Sequence, residues 1–371
     1  MYVKSDIFYY IRTTSYIIRS LLALLIVLYI GWQLFLSLPG TSDYIAERIS
    51  SALSEKLATG ITIERVEIHL PGSIDLYNIR IDDKSQKPML EAKRLCVRIS
   101  LSELANRQLT VTHLGLYNAR CRFSKTSSSS PANFQFVLDS LSGNGPSNSS
   151  LSIQVKSVVL QNTYLSYDVW DSPVYDSIFQ PSHLQFNRID GSFSINSGEN
   201  IDQIRIRSLR LEEKSGWSVN SMYGKAAISR HGINISSLHL TMPGSQLNIN
   251  QLDFTFRPTC YLNGLHLNGT FSPSDFRCFL PSLAKSSRQL YSLVLDARGN
   301  HNNININISG TTSGTNNLFL DSRLMLSQSV FNNKEWLCRG RIARLSLSPS
   351  TITEWTAWAG LSPDITERLT S

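Results

Sequence analysis

The chain carries seven histidines, His69, His113, His183, His231, His239, His266 and His301. Imidazoles bind metals and move protons near neutral pH, so their spacing is the first chemistry to test. A helical metal site needs H-x-x-x-H or H-E-x-x-H, and the sequence has neither. Three of the seven lie between apolar neighbours: Ile-His-Leu at His69, Leu-His-Leu at His239 and His266. On a strand, that alternation turns the imidazole away from the apolar face. The acidic pair Asp82-Asp83 and the run Glu212-Glu213-Lys214 read as solvated turns at strand ends. G-x-S-x-G, P-loop and G-x-G-x-x-G patterns do not occur. The five cysteines, Cys96, Cys121, Cys260, Cys278 and Cys338, are odd in number and form no C-x-x-C. They indicate neither a disulfide framework nor a zinc site, and Cys96 and Cys121 read as small core residues. A catalytic triad is a spatial arrangement, so an anchored hydrolase stays open as a weaker alternative. The main expectation is a non-enzyme without metal or cofactor.

The bulk numbers bound the partners. Charged residues make up 17% of the chain, below the roughly 25% of soluble domains. The net charge of +7 favours anionic partners, either nucleic acid or phospholipid head groups. The basic residues are scattered, without a Lys/Arg-rich run or an aromatic-basic module, so nucleic acid is not expected. A mildly basic solvated surface is the simplest reading.

Residues 20–42 contain no charge, and 21–38 are apolar except for Gln33 and Ser37. About 20 such residues cross a bilayer as a helix. Tyr29 and Trp32 suit an interface. A cleaved secretory signal is the alternative, but the run is longer than a usual signal core and no A-x-A follows it. The expectation is an anchor at 20–39. Lys4, Arg12 and Arg19 outweigh Arg48 and Lys56, which puts residues 1–19 in the cytoplasm and the rest beyond the membrane. Residues 41–60 read as an amphipathic helix with Ile45, Ile49, Ala52, Leu53 and Leu57 on one stripe. Thr41, Ser42 or Asp43 suits its N-cap and Gly60 its C-cap.

From Ile61 the period changes from 3.6 to 2. Alternating runs fill most of residues 61–352, with Pro-Gly-Ser turns at Pro71 and Pro243. No helical pattern alternates with them, so the expected fold is mainly β, an extended antiparallel sheet with one apolar face. That face must be covered by a second sheet, by helices or by a ligand. The alternation slips by one residue between Leu76 and Ile79, between Leu116 and Ala119, and between Ile249 and Leu252. An extra residue at a fixed place in a strand marks a β-bulge, and Asn78, Asn118 and Asn162 read as bulge residues; a surface turn is the alternative. Residues 124–150 read as a flexible loop around the apolar island at 133–141. Residues 271–290 read as a helical insert capped by Ser272 or Ser274 and broken by Pro281, and 353–371 as helical.

The order of these segments carries a resemblance. GITIERVEIHLPGSIDLYNIRI, KPMLEAKRLCVRISLSELANRQLTVTHLGLYNARCRF, ANFQFVLDSL and SPSDFRCFLPSL together resemble the start of AsmA-like proteins, most closely the TamB type as found in Bacteroidota. The resemblance implies an inner-membrane anchor and a curved, U-shaped sheet with an open groove in the periplasm. It also implies phospholipid carried toward the outer membrane, and assistance to outer-membrane protein assembly through a β-barrel partner of the TamA type. Such proteins are longer and end in a domain that meets that partner. This chain then corresponds to their N-terminal portion or to a short homologue, with 353–371 as a possible truncation point.

Transport along an apolar groove needs no nucleophile, because buried acyl CH₂ groups contribute about 0.8 kcal/mol each. The candidate lining is Val66, Ile68, Leu70, Ile74, Leu76, Leu114, Leu116, Leu238, Leu240, Met242, Leu247 and Ile249. Each of these also suits the core of a closed β-sandwich. The competing expectation is therefore an anchored scaffold that binds protein partners without lipid.

Overall fold

The computed structural model describes residues 23–24, 26–31, 39–69, 72–105, 109–141, 153–175, 178–197, 201–256, 259–279, 290–300, 303–312, 319–328, 336–346, 348–349, 352–353 and 356. The described residues form one mainly β architecture. Helix α1 (Pro39–Leu57) precedes β1 (Ile61–Thr62), β2 (Arg65–His69), β3 (Ser73–Asp82) and β4 (Pro88–Ile99). The short helix α2 (Leu101–Ala105), β5 (Leu109–Lys125) and helix α3 (Gln135–Leu141) follow. Then come β6 (Ile153–Val155), β7 (Ser157–Val169), β8 (His183–Ser197), β9 (Ile201–Glu213), β10 (Ser218–Ser229) and β11 (Gly232–Thr241). The sheet continues with β12 (Gln246–Thr255), β13 (Tyr261–Phe271), β14 (Tyr291–Asn300), β15 (Asn303–Thr312), β16 (Phe319–Gln328) and β17 (Trp336–Ser346).

All seventeen strands belong to one sheet. It is curved and open. Among the described residues, β1 and β2 at one edge pair only with β3, and β17 at the other pairs only with β16. Every neighbouring pair is antiparallel except one, which corrects the expectation of a purely antiparallel sheet. β6 and β7 are two pieces of one row, and both run parallel to β5. The chain leaves β5 at Lys125 and re-enters the sheet at Ile153, beside Leu109 at the opposite end of β5. The expected loop at 124–150 is therefore a crossover carrying α3, and a tight hairpin cannot make that connection.

Where the alternation slips, β3, β4, β5 and β7 stay paired without a shift of register, so Asn78 and Asn118 are not the bulge residues the sequence predicts; only β7 shifts, against β8, beside Asn162. Asn78, Asn118 and Asn162 have φ of 51°, 50° and 48°, the left-handed region that Asn tolerates better than most residues. Around them the buried or half-buried positions fall three apart on four adjoining rows: Leu76 and Ile79, Leu95 and Ala92, Leu116 and Ala119, Leu160 and Thr163. The slip at Ile249–Leu252 is matched by Leu238–Ile235 on β11, without a left-handed residue.

Helix α1 lies on the apolar face of the first strands. Ile45, Ala46, Ile49, Leu53 and Leu57 pack on Ile61, Val66, Leu76, Ile79 and Ala119. Its caps differ from those expected. Ser42 lies inside the helix, where its buried hydroxyl donates to the Val66 carbonyl at 2.7 Å. At the other end Ala58, not Gly60, is left-handed, with φ 48°. The N–H of Thr59 reaches the Ser54 carbonyl at 3.2 Å and that of Ala58 reaches Glu55 at 3.3 Å, the paired bonds of a Schellman cap. Lys84 Nζ covers the Leu57 and Ala58 carbonyls at 2.6 and 3.1 Å.

The insert expected at 271–290 is smaller in its described part. Phe271 still belongs to β13, and one 3-10 turn follows at Pro273–Phe276; residues 280–289 lie outside the described residues. Ser272 makes no side-chain cap. Asp275 instead clamps the β11–β12 turn, accepting from the Gly244 N–H at 3.0 Å and from Ser245 Oγ at 2.6 Å. Most of the expected anchor at 20–39 and of the helix at 353–371 also lies outside the described residues. No described helix is long and apolar enough to cross a membrane. Residues 26–31 are helical, and Ile26, Val27, Leu28 and Ile30 are each 50% exposed or more.

Two substitutions test this account. Ala58→Gly removes the left-handed strain, and its unfolding free energy in denaturant titration should rise by about 1 kcal/mol. Thr163 is 1% exposed and its hydroxyl has no hydrogen-bond partner. Thr163→Val should therefore stabilise by about 1 kcal/mol in the same titration; a loss of stability would sink the placement of Thr163 on the apolar face.

Candidate functional site

The cross-strand registers assemble an apolar row across the whole sheet. Ile68 on β2 lies in line with Ile74, Val97, Leu114 and Val158 on the next rows. The line continues through Phe193, Ile206, Gly224, Leu238 and Ile249. It finishes with Leu267, Leu295, Ile308, Ser322 and Ile342 on β17. Only Gly224 and Ser322 interrupt it. A second row lies two residues along each strand, or three on β9, where Ile206 belongs to the first row and Leu209 to the second. It starts Val66, Leu76, Leu95, Leu116 and Leu160, then runs Gly191, Leu209, Met222, Leu240 and Leu247. Gly269, Leu293 and Gly310 extend it. Gly269 has φ 150°, and a Cβ there would stand 2.0 Å from the Gln246 carbonyl oxygen, so no larger residue fits that row position. At ~4.8 Å per strand, the rows are roughly 65 Å long.

Ten of the twelve candidate lining residues fall on these two rows. Met242 lies just past the end of β11 and is buried in the mid-sheet cluster. Leu70 lies outside the described residues. The rows also gather residues that the sequence reading left out, including Val97, Leu160, Phe193, Leu209, Leu295 and Ile308. Their alternation was visible in the sequence, but their alignment depends on bulges and register that only the paired strands reveal.

Cover over the apolar face is uneven. Under α1, Val66 is 1% and Leu76 7% exposed. In mid-sheet, Trp217 from the β9–β10 turn and Phe276 from the 3-10 turn pack against the cluster of Ile189, Leu211, Val219 and Met242. Phe179 and Phe279 extend this group, each with its ring centroid 5.7 Å from that of Trp217. Beyond it Leu267, Leu295 and Ile308 are only partly buried and belong to neither hydrophobic cluster. At the edge Ile342 is 55% and Leu345 45% exposed.

The other face is polar. His69, His239 and His266 lie on it, as their flanking residues predicted. His239 Nδ1 meets Asn248 Oδ1 at 2.7 Å, and His266 Nδ1 meets Asp296 Oδ1 at 2.6 Å. The nearest approach to a catalytic grouping surrounds Asp75, a carboxylate only 3% exposed. Arg94 forks onto both its oxygens at 3.1 Å, and His69 Nε2 stands 3.5 Å away. Ser73 Oγ contacts Cys96 Sγ at 3.9 Å. Among the described residues no group of three His, Cys, Asp or Glu side chains could hold a metal ion. A polar cleft of about 630 Å³ opens along the line of left-handed asparagines, lined by Asn78, Lys93, Asn118, Arg120 and Asn162. Asn162 Nδ2 donates to Asn118 Oδ1 at 2.7 Å, and the Asn162 N–H donates to Asp190 at the same distance. Asn78 donates to Glu64.

Both cysteines expected in the core are buried, on opposite faces. Cys121 is on the apolar side, in line with Leu90 and Leu165, and burial pushes its thiol up to about 11. Cys96 lies opposite Asp75 on the polar side, and burial, then Asp75, raises its thiol as well.

Comparison of the chain with family models, with curated proteins and with solved structures found no match.

The cysteines give a direct check. In the folded protein, a maleimide near neutral pH should label exposed Cys260 within minutes. Cys96, Cys121 and Cys278 should react only after denaturant is added, as read by peptide mass spectrometry.

Proposed function

We propose that the apolar face binds phospholipid acyl chains and conducts them along the sheet, away from a membrane anchor at residues 20–39. The observation that carries this reading is the pair of apolar rows, one running from β2 to β17 and the other from β2 to β15, that leave Leu267, Leu295 and Ile308 only partly buried. An acyl chain lying along the rows removes CH₂ groups from water at any position, so no step along the path requires a specific contact. Head groups stay solvated at the open side. This agrees with the AsmA-like, TamB-type resemblance, and with it we place the chain in the inner membrane with its sheet in the periplasm. The exposed apolar helix at 26–31 supports the anchor. A second reading is favoured by the edge of β17, which pairs with β16 alone among the described residues. A partner's strand could add there, which suits a scaffold or an outer-membrane β-barrel partner.

The test is mass spectrometry of lipid released from the purified full chain, exchanged into a lipid-free detergent micelle and washed. At least one phospholipid per chain is expected. Leu295→Asp and Ile308→Asp should lower that stoichiometry severalfold with unchanged circular dichroism, because a charge in the uncovered stripe repels acyl chains. Val66→Asp, under α1, should instead destabilise by about 4 kcal/mol or more. A folded wild type free of lipid would overturn transport and leave the scaffold.

A further inference from the structure

We propose that the polar face of the sheet binds a linear acidic polysaccharide laid across the strands. Three clefts follow one another along that face, of about 630, 450 and 890 Å³. The first, from β3 to β8, is the asparagine cleft with Lys93 and Arg120. The second, from β8 to β11, holds Arg205 and Lys225 among Asn196, Gln203 and Asn234. The third, from β12 to β17, holds Arg298, Arg323 and Arg339 beside Asn305 and Asn307. Carboxylates in these linings are already engaged: Glu91 by Arg122 at 2.6 Å and Asp296 by His266 at 2.6 Å.

The placement of the cations points to a ligand. Arg205 lies directly opposite Lys225, and Arg323 directly opposite Arg341. Like charges in that position destabilise a sheet. None of the four has an ion-pair partner among the described residues, and all are exposed. An anion held between each pair turns the repulsion into two attractions. The guanidinium fork matches a carboxylate or a sulfate. The neighbouring amides each offer two donors and an acceptor, which suits hydroxyl groups. The strand spacing of ~4.8 Å repeats these groups on the scale of one sugar unit. Single-stranded nucleic acid needs aromatic platforms, and Tyr164 is the one Phe, Tyr or Trp in the three linings. A bilayer surface would touch the rims of the clefts and leave their amides unused. The inference concerns the face opposite the apolar rows and does not depend on lipid binding.

The experiment uses the full chain in nonionic detergent and a fluorescein-labelled hyaluronan oligosaccharide, read by anisotropy. Competitors are neutral dextran, oligothymidylate and vesicles of anionic phospholipid. Hyaluronan should bind, and dextran should not displace it. Lys225→Glu and Arg323→Glu should each weaken binding about tenfold, and about a hundredfold together. Their melting temperatures should rise or stay level, because each substitution makes an opposite-charge pair across the strands. Arg230→Glu, at the exposed β10–β11 turn, should leave binding unchanged. The proposal fails if hyaluronan binds no better than dextran, or if both cleft variants bind like wild type. It also fails if Arg230→Glu weakens binding as much as they do, which would reduce the effect to net charge. Displacement by vesicles or oligothymidylate at lower concentration than by unlabelled hyaluronan would assign the face to a membrane or a nucleic acid instead.

Discussion

The constraint on which the fold depends is the parity of the β-strand. Side chains alternate strictly, so one extra residue in a single strand turns the rest of that strand over. This chain has extra residues in many strands and still keeps one face apolar. It does so because neighbouring strands take the slip at the same level. Asn78, Asn118 and Asn162 accept left-handed backbone angles on β3, β5 and β7, and β4 absorbs the step between Leu95 and Ala92. Had β5 alone slipped, Ala119 and Cys121 would face water while Leu90 and Leu165 faced the core.

The two apolar rows, the uneven cover and the polar clefts follow from this matching. Above and below the asparagine line the rows stay in register, so α1 meets a continuous surface at Ile61, Val66, Leu76 and Ile79. At the line itself two consecutive residues on each strand face outward, which spreads the side chains and opens the asparagine cleft. One device therefore shapes both faces. The clamp of Asp275 on the β11–β12 turn brings Phe276 onto the cluster of Ile189, Leu211, Val219 and Met242, away from the patch that α1 covers.

Much of this was legible in the sequence. The alternation, the Pro-Gly-Ser turn at Pro243, the slips at the asparagines and the stripe of α1 are local patterns, and the structure has them. The parallel step from β5 to β7 was not legible, because direction is set by where a chain returns, and the 124–150 segment carries no pattern that fixes its endpoint. The caps of α1 were misread because Gly60 fits a C-cap on type alone, whereas the helix stops at Leu57, where Ala58 and Lys84 close it. The like-charge pairs could not be found either: Arg205 and Lys225 are twenty positions apart, and only register puts them face to face.

In this sheet each row packs on the rows beside it and on little else. The energetics are then close to those of a one-dimensional array, in which stability is a sum over neighbours. Opening begins at the ends. The β1–β2 end is weighted by α1 and its bonds to Val66 and to the Lys84 turn. The β17 end has Ile342 and Leu345 bare. Fraying is thus polarised toward β17, and the span of the molecule becomes a modular quantity. Each added hairpin would extend the apolar stripe by about 10 Å without disturbing any existing contact.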